Sequence, residues 1–158
     1  MTPVFRLAQS ADLQVMDNML RRLARDLNDP YRATLDGLNH ALFSEAPTCF
    51  ALLAEQDGQA CGIGLATPVF STMRGGYGVY VSDLWVSDQT RGQGVGAALL
   101  FEIAQYAVSV WHAVFLKLAV YADNTQAHKF YERLGFETIT GEAVMAIDMT
   151  TLTQQGTP

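Results

Sequence analysis

The chain has 158 residues, 49% of them hydrophobic and 16% charged, which suits one compact domain with a sizeable core. A formal net charge of −6 argues against a nucleic-acid partner, since phosphate binding needs clustered Lys and Arg; the one basic cluster, Arg21, Arg22 and Arg25, reads as a solvated helix face. No apolar run nears the roughly 20 residues that span a bilayer, and the N-terminus has no basic segment ahead of an apolar one, so the expectation is no membrane partner, no signal peptide and a cytoplasmic location.

Residues 3–8, PVFRLA, predict a first strand. Ser10 is the expected N-cap of a helix running to about Leu27, with Leu13, Met16, Leu20, Leu23 and Ala24 at helical spacing. Asp29-Pro30 suits a turn, and a second helix is expected over 31–43. Two antiparallel strands then flank Asp57-Gly58, a strong hairpin signal. A two-residue turn there sets Gln56 opposite Gln59, Cys49 opposite Ala66 and Cys61 opposite Ala54. The two cysteines do not face each other, so buried free thiols are expected. With His40, His112 and His128 scattered, no zinc pattern and no metal are expected.

A strand rich in β-formers, VYVSDLWV, follows the loop MRGGYG. The glycine-rich turn 91–97 opens into a helix with Val95, Leu99, Ile103, Tyr106 and Val110 on one stripe, and VFLKLAVYA is the next strand. Strand, helix, strand here predicts two parallel strands joined by a crossover. A helix over 123–134 capped by Gly135, closing strands in FETIT and VMAIDM, and a frayed tail over 151–158 complete the chain. The expected fold is an α/β mixed sheet in a single domain spanning 1–158, with its core over about 3–150 and the order β-α-α-β-β-β-α-β-α-β-β.

The turn RGQGVGA is the most informative stretch. Its glycines let a ligand approach main-chain N–H groups at a helix start, where donors lack intrahelical partners and the macrodipole is positive. A diphosphate is a natural guest. A Walker loop is excluded because Ala97-Ala98, not Lys-Ser/Thr, follows Gly96. A dinucleotide fold lacks its acidic residue about 20 positions on, and the preceding antiparallel hairpin does not belong to one. A purely structural turn is the remaining alternative.

VSDLWVSDQTRGQGVGAALL resembles the acetyl-CoA-binding motif of the GNAT superfamily of N-acetyltransferases, with Arg91, Gly94 and Gly96 meeting its signature. YADNTQAHKFYERLGFE resembles the superfamily's second motif at the usual separation, and the element order is similar over nearly the whole chain. STMRGGYGVYVSDLWV and the short length look most similar to the diamine and polyamine acetyltransferases.

The resemblance implies acetyl-CoA as co-substrate and a small primary amine, a polyamine or amino-acid-like molecule, as acceptor. A protein N-terminus or lysine is the alternative acceptor, and a non-catalytic acyl-CoA sensor the rival from another class. It implies that the backbone of Leu84, Trp85 and Val86 meets the pantetheine arm on a strand splayed from its parallel neighbour. The backbone of Arg91, Gly92, Gln93, Gly94, Val95, Gly96 and Ala97 would hold the diphosphate, and Asn124 would contact the coenzyme. Asp123-x-x-Gln126 also reads as a capping box, so Asn124 carries a second, structural reading.

Tyr131 is the implied acid: a phenol of pKa about 10 matches a departing thiolate. Without the resemblance, its spacing with Ala127, Phe130 and Leu134 would make it a core residue. The implied chemistry is direct attack of the neutral amine on the thioester through a tetrahedral state. Where the polyamine enzymes place a glutamate base this chain has Ser82, then Asp83. Strand alternation sends these two to opposite faces unless a bulge re-aims one, so the base is unassigned, with Ser82 or Tyr80 at the end of a water chain as one option. Asp26, Asp29 and Tyr31 fall in the family's variable acceptor region, where Asp29 also suits the turn before Pro30. By analogy with relatives, a homodimer is expected.

Overall fold

The computed structural model describes residues 2–154. The chain forms two compact units, Met1–Ala119 and Val120–Pro158.

The first unit is built on a five-stranded sheet of order β1-β2-β3-β4-β5. Its strands are β1 (Val4–Leu7), β2 (Phe50–Gln56), β3 (Gln59–Ser71), β4 (Gly76–Val86) and β5 (Phe115–Leu118). Every neighbouring pair is antiparallel except β4 and β5, which run parallel through the crossover helix α3 (Val95–Trp111). Helices α1 (Leu13–Leu27) and α2 (Leu35–Phe43) bring Met16, Met19, Leu20, Leu38 and Leu42 onto Ala51, Leu53, Ile63 and Trp85 of the sheet. Alternation along the strands gives the other face to α3. There Phe50 packs on Tyr106 and Trp111, with ring centroids 4.8 and 5.4 Å away. On that face a Cβ on Gly64 would lie 2.5 Å from Ile103 Cδ1, so glycine is what lets α3 seat closely on β3.

The caps differ from expectation. Ser10 begins a short 3-10 turn, Ser10–Asp12, instead of capping α1. Asp12, gripped by Arg6 at 2.7 and 2.8 Å, accepts the Gln9 N–H at 2.7 Å and draws the turn tight. The second helix starts at Leu35 rather than 31, because Thr34 Oγ1 caps it by accepting from the Gly37 N–H at 3.1 Å.

Asp57 and Gly58, both at positive φ, form the expected hairpin turn, and Gln56 faces Gln59. The predicted register then fails: a shift between Ala54 and Glu55 pairs Ala54 with Gly62 and Phe50 with Ala66. Cys61 is the extra residue of that bulge and Cys49 precedes the strand. Neither has the predicted partner, and both thiols are free, Cys61 buried and Cys49 half-buried. A bulge depends on packing across the sheet, which turn chemistry does not encode.

The second unit holds α4 (Thr125–Arg133) and α5 (Met149–Gln154). Gly135, at φ +90°, closes α4 as expected, with Gly135 and Phe136 donating back to Glu132 and Tyr131. The two closing strands predicted in 136–149 do not form; these residues have no strand partner, and Val144 and Met145 are each 91% exposed. β-propensity acts only where a neighbour completes the ladder. The expected fraying of the tail is replaced as far as Gln154 by α5; the rest of it, 155–158, lies outside the described residues. Among the described residues, no helix is long and apolar enough to cross a membrane, and no cluster of His, Cys, Asp and Glu forms a metal site.

Candidate active site

Parallel pairing of β4 with β5 runs from Gly78↔Phe115 to Val81↔Leu118 and stops there, although β4 continues to Val86. Ser82–Val86 therefore keeps β3 on one edge and, among the described residues, no strand on the other. Ser87 N–H donates to Cys61 O at 2.8 Å, so ladder alternation turns the main chain of Asp83 and Trp85 toward β3 and that of Leu84 and Val86 toward the open edge. Trp85 itself is core, its indole N–H donating to Asp26 at 3.0 Å. The Val86 carbonyl on the open edge already accepts from Arg91 Nε at 3.0 Å.

The turn after β4 is wound on Ser87 O, which accepts the N–H groups of Thr90 and Arg91 at 3.0 Å each; Gln93 N–H goes to Thr90 O. Gly92 and Gly94 sit at φ +78° and +83° with open space where a Cβ would stand, so conformation rather than crowding demands glycine. Gly94 is the N-cap of α3, no side chain caps the helix, and the first helical bond is Ala98 N–H to Gly94 O. Among the described residues, the N–H groups of Gly92, Gly94, Val95, Gly96 and Ala97 consequently have no main-chain acceptor. Gly92, Gln93 and Gly94 are exposed, and the cluster of donors at the positive end of a helix favours an anion. The Arg91 side chain, by contrast, is committed to Val86 O, Asp26 and Asp88.

A second bulge lies in β4: Leu65 pairs with Asp83 and Ala66 with Val81, leaving Ser82 as the extra residue. The expectation that Ser82 and Asp83 point to opposite faces is overturned. Ser82 Oγ donates to Asp83 Oδ2 at 2.6 Å. Tyr80, opposite Thr67, and Asp83, opposite Leu65, now share the face of Trp85, toward α1 and α2. Burial pushes the Asp83 carboxyl above the usual carboxylate range, against the opposing pull of the Ser82 bond. Alternation alone left Asp83 without a role unless a bulge intervened, and the bulge at Ser82 supplies that condition.

Tyr31 lies close enough to Asp83 to feel its charge. Its hydroxyl donates to Asp17 Oδ1 at 2.8 Å, Arg21 Nε donates to Asp17 Oδ2 at 2.7 Å, and the Arg21 guanidinium sits 4.5 Å over the Tyr31 ring. Burial and the Asp17 bond push the Tyr31 phenol up to about 12. Asp17 is 2% exposed; burial opposes its charge, yet the bonds from Arg21 and Tyr31 hold it below its ordinary value. Asp17 was missed by sequence reasoning, though its i,i+4 spacing to Arg21 is a legible signal. A cleft of about 500 Å³ opens beside this group, lined by Arg21, Arg25, Asn28, Asp29, Pro30 and Tyr31 among others. Asp26 does not join Asp29 and Tyr31 there, because it is held by Trp85 and Arg91.

In the second unit the helix cap is Asn124, whose Oδ1 accepts the Ala127 N–H at 3.0 Å, and not the Asp123 box. Tyr131 packs edge-on against Phe130 and Phe136, centroids 5.0 and 5.3 Å away, and burial raises its phenol pKa.

Residues 16–136 match the acetyltransferase (GNAT) family. Thialysine N-epsilon-acetyltransferase of Mus musculus is 30% identical over 145 residues, covering 85% of this chain and 84% of its own. An uncharacterized N-acetyltransferase of Methanocaldococcus jannaschii is 29% identical, covering 84% and 77%. Among solved structures, an integron cassette protein from the mobile metagenome of V. cholerae superposes with a TM-score of 0.79 at 21% identity, covering 98% of each chain. The ribosomal-protein-alanine N-acetyltransferase of Brucella melitensis biovar Abortus 2308 gives 0.76 at 20% identity, covering 92% of this chain and all of that one (100%). At such identities these two establish the fold alone.

Proposed function

The chain belongs to the GNAT acetyltransferase family, and from that premise we propose that it transfers the acetyl group of acetyl-CoA to the primary amine of a small, amino-acid-like acceptor. The observation that carries this is the open edge of β4 beyond Val81, lying next to unengaged N–H donors at the start of α3. A diphosphate suits those donors, and an extended pantetheine arm suits an unpaired strand edge at Leu84 and Val86, added in the manner of a further strand.

Acceptor activation falls to Asp83. An ammonium group must lose a proton before its nitrogen can attack, and a carboxylate whose pKa burial has raised is a better base near neutrality than an ordinary one. The neutral amine then attacks the thioester carbonyl, and the thiolate leaves with a proton. Tyr131 is proposed as its donor on the strength of the family motif, and burial keeps the phenol protonated through the neutral range. Positioning of the two substrates supplies much of the rate. Asn124 has its carbonyl oxygen engaged as the α4 cap, which leaves its amide N–H₂ as the group to meet the coenzyme.

For the acceptor, the cleft beside Tyr31 presents one guanidinium, Arg25, and one carboxylate, Asp29, since Arg21 is paired with Asp17. That balance suits a molecule carrying a carboxylate as well as an amine better than a bare polyamine. The mouse relative's name points to the same class. A homodimer in the cytoplasm completes the proposal by analogy with the family.

The test is thiol release from acetyl-CoA with a panel of lysine-like amino acids, thialysine included, polyamines, and peptides with free N-termini. Turnover with the amino acids at the highest kcat/KM is expected. Preference for polyamines or peptides would overturn the acceptor assignment. Coenzyme binding with no turnover across the panel would make the protein an acyl-CoA sensor.

A further inference from the structure

Helix α1 reaches the coenzyme turn through one side chain. The Oδ2 atom of Asp26, in the last turn of α1, accepts both the indole N–H of Trp85 at 3.0 Å and an Arg91 guanidinium N–H. The same guanidinium donates Nε to the Val86 carbonyl at 3.0 Å and Nη1 to Asp88 at 2.7 Å. Arg91 thus clips the first part of the glycine turn to the end of β4, and Asp26 and Asp88 aim the clip. Carboxylates on a planar guanidinium fix direction as well as distance.

We infer that Asp26 is a positioning residue for the coenzyme: through Arg91 it fixes the main-chain donors of the turn relative to the open edge of β4. The inference rests on the reading of that edge and turn as the coenzyme site. Two features of the clasp make its effect specific. It holds the Val86 carbonyl in a hydrogen bond, which leaves the Val86 N–H and the Leu84 main chain as the groups on the edge that are ready for the arm. Among the described residues it also shares no hydrogen bond with Asp17 or Tyr31, whose bonds are made with each other and with Arg21. Loss of Asp26 should therefore act on the coenzyme and spare the acceptor.

The experiment compares wild type, Asp26→Asn, Arg91→Ala and the double variant by steady-state kinetics, with coenzyme A binding measured by calorimetry. Asp26→Asn is expected to raise the KM for acetyl-CoA about tenfold, while kcat at saturation and the KM for the amine stay within about twofold of wild type. The double variant is expected to be no worse than Arg91→Ala alone, because Asp26 acts through Arg91. An unchanged acetyl-CoA KM, a fall in kcat with both KM values raised alike, or effects that multiply in the double variant would each overturn the inference. If Asp26→Asn does not fold, Arg91→Lys serves instead: a lysine cannot hold two carboxylates and a carbonyl in one plane, and the same rise confined to the acetyl-CoA KM is expected. Wild type that binds no coenzyme A would defeat the site itself; wild type and Asp26→Asn binding it equally well would defeat the clasp alone.

Discussion

Replacing Asp83 by Asn should harm catalysis and help stability, and the two signs come from one cause. Asp83 receives a single hydrogen bond among the described residues, from Ser82 Oγ, which an Asn carbonyl oxygen also accepts. The change therefore removes a charge with little change of shape. In the proposed role of general base, Asp83 should contribute about 10²- to 10⁴-fold in kcat, or about 3–5 kcal/mol of barrier. Wild-type kcat should fall on the acid side with a pKa above the usual carboxylate value, since burial raises it, and this limb should vanish in Asp83→Asn.

For stability the folded state binds the Asp83 proton more tightly than the unfolded chain does. Wild type is thus penalised as pH rises from near 4 through the raised folded value, with the full penalty above it. Asp83→Asn escapes that penalty and should gain about 1 kcal/mol at pH 8. That corresponds to about 2–4 °C in Tm for a chain of this size, shrinking toward zero near pH 4. Thermal melts at both pH values, alongside kcat–pH profiles, make the assay. An unchanged acid limb, or a variant less stable at pH 8 than at pH 4 relative to wild type, would refute the reasoning.

Tyr131→Phe should lower kcat about 100-fold at neutral pH with little change in Tm, and unchanged turnover would remove the phenol from the mechanism. Gly94→Ala and Gly75→Ala both force a Cβ onto positive φ in open space and should each cost about 1 kcal/mol by denaturant melts. Only Gly94→Ala should also raise the acetyl-CoA KM, so equal KM values would detach the turn from the coenzyme. Asp17→Ala should lose about 2 kcal/mol at pH 7, because Tyr31 and Arg21 lose their shared acceptor. The folded pKa of Asp17 is depressed, so its contribution is present above the unfolded carboxylate value and disappears as pH falls through the folded one. A difference between Asp17→Ala and wild type that persists undiminished at the lowest pH where both stay folded would contradict that assignment.

What the sequence determined by itself is local. Positive φ at Asp57-Gly58 and at Gly92 and Gly94 is written in the residue types, and so the hairpin turn and the donor-rich mouth of α3 were legible. The stripe of α1, that of α3 as far as Tyr106 (Val110, expected on it, is 47% exposed), and the order of elements as far as α4 follow from periodicity and turn signals. What only the tertiary structure decided is non-local. The bulges at Cys61 and Ser82 moved one cysteine's register and brought Tyr80 onto the face that Asp83 and Trp85 share. The parting of β4 from β5 after Val81, and the capture of Asp26 and Arg91 by each other, depend on pairs far apart in the chain. The strands expected after α4 had propensity but no ladder to join. Dihedral preference resides in single residues, whereas register, pairing and the fate of a carboxylate are fixed by whichever distant neighbours packing delivers.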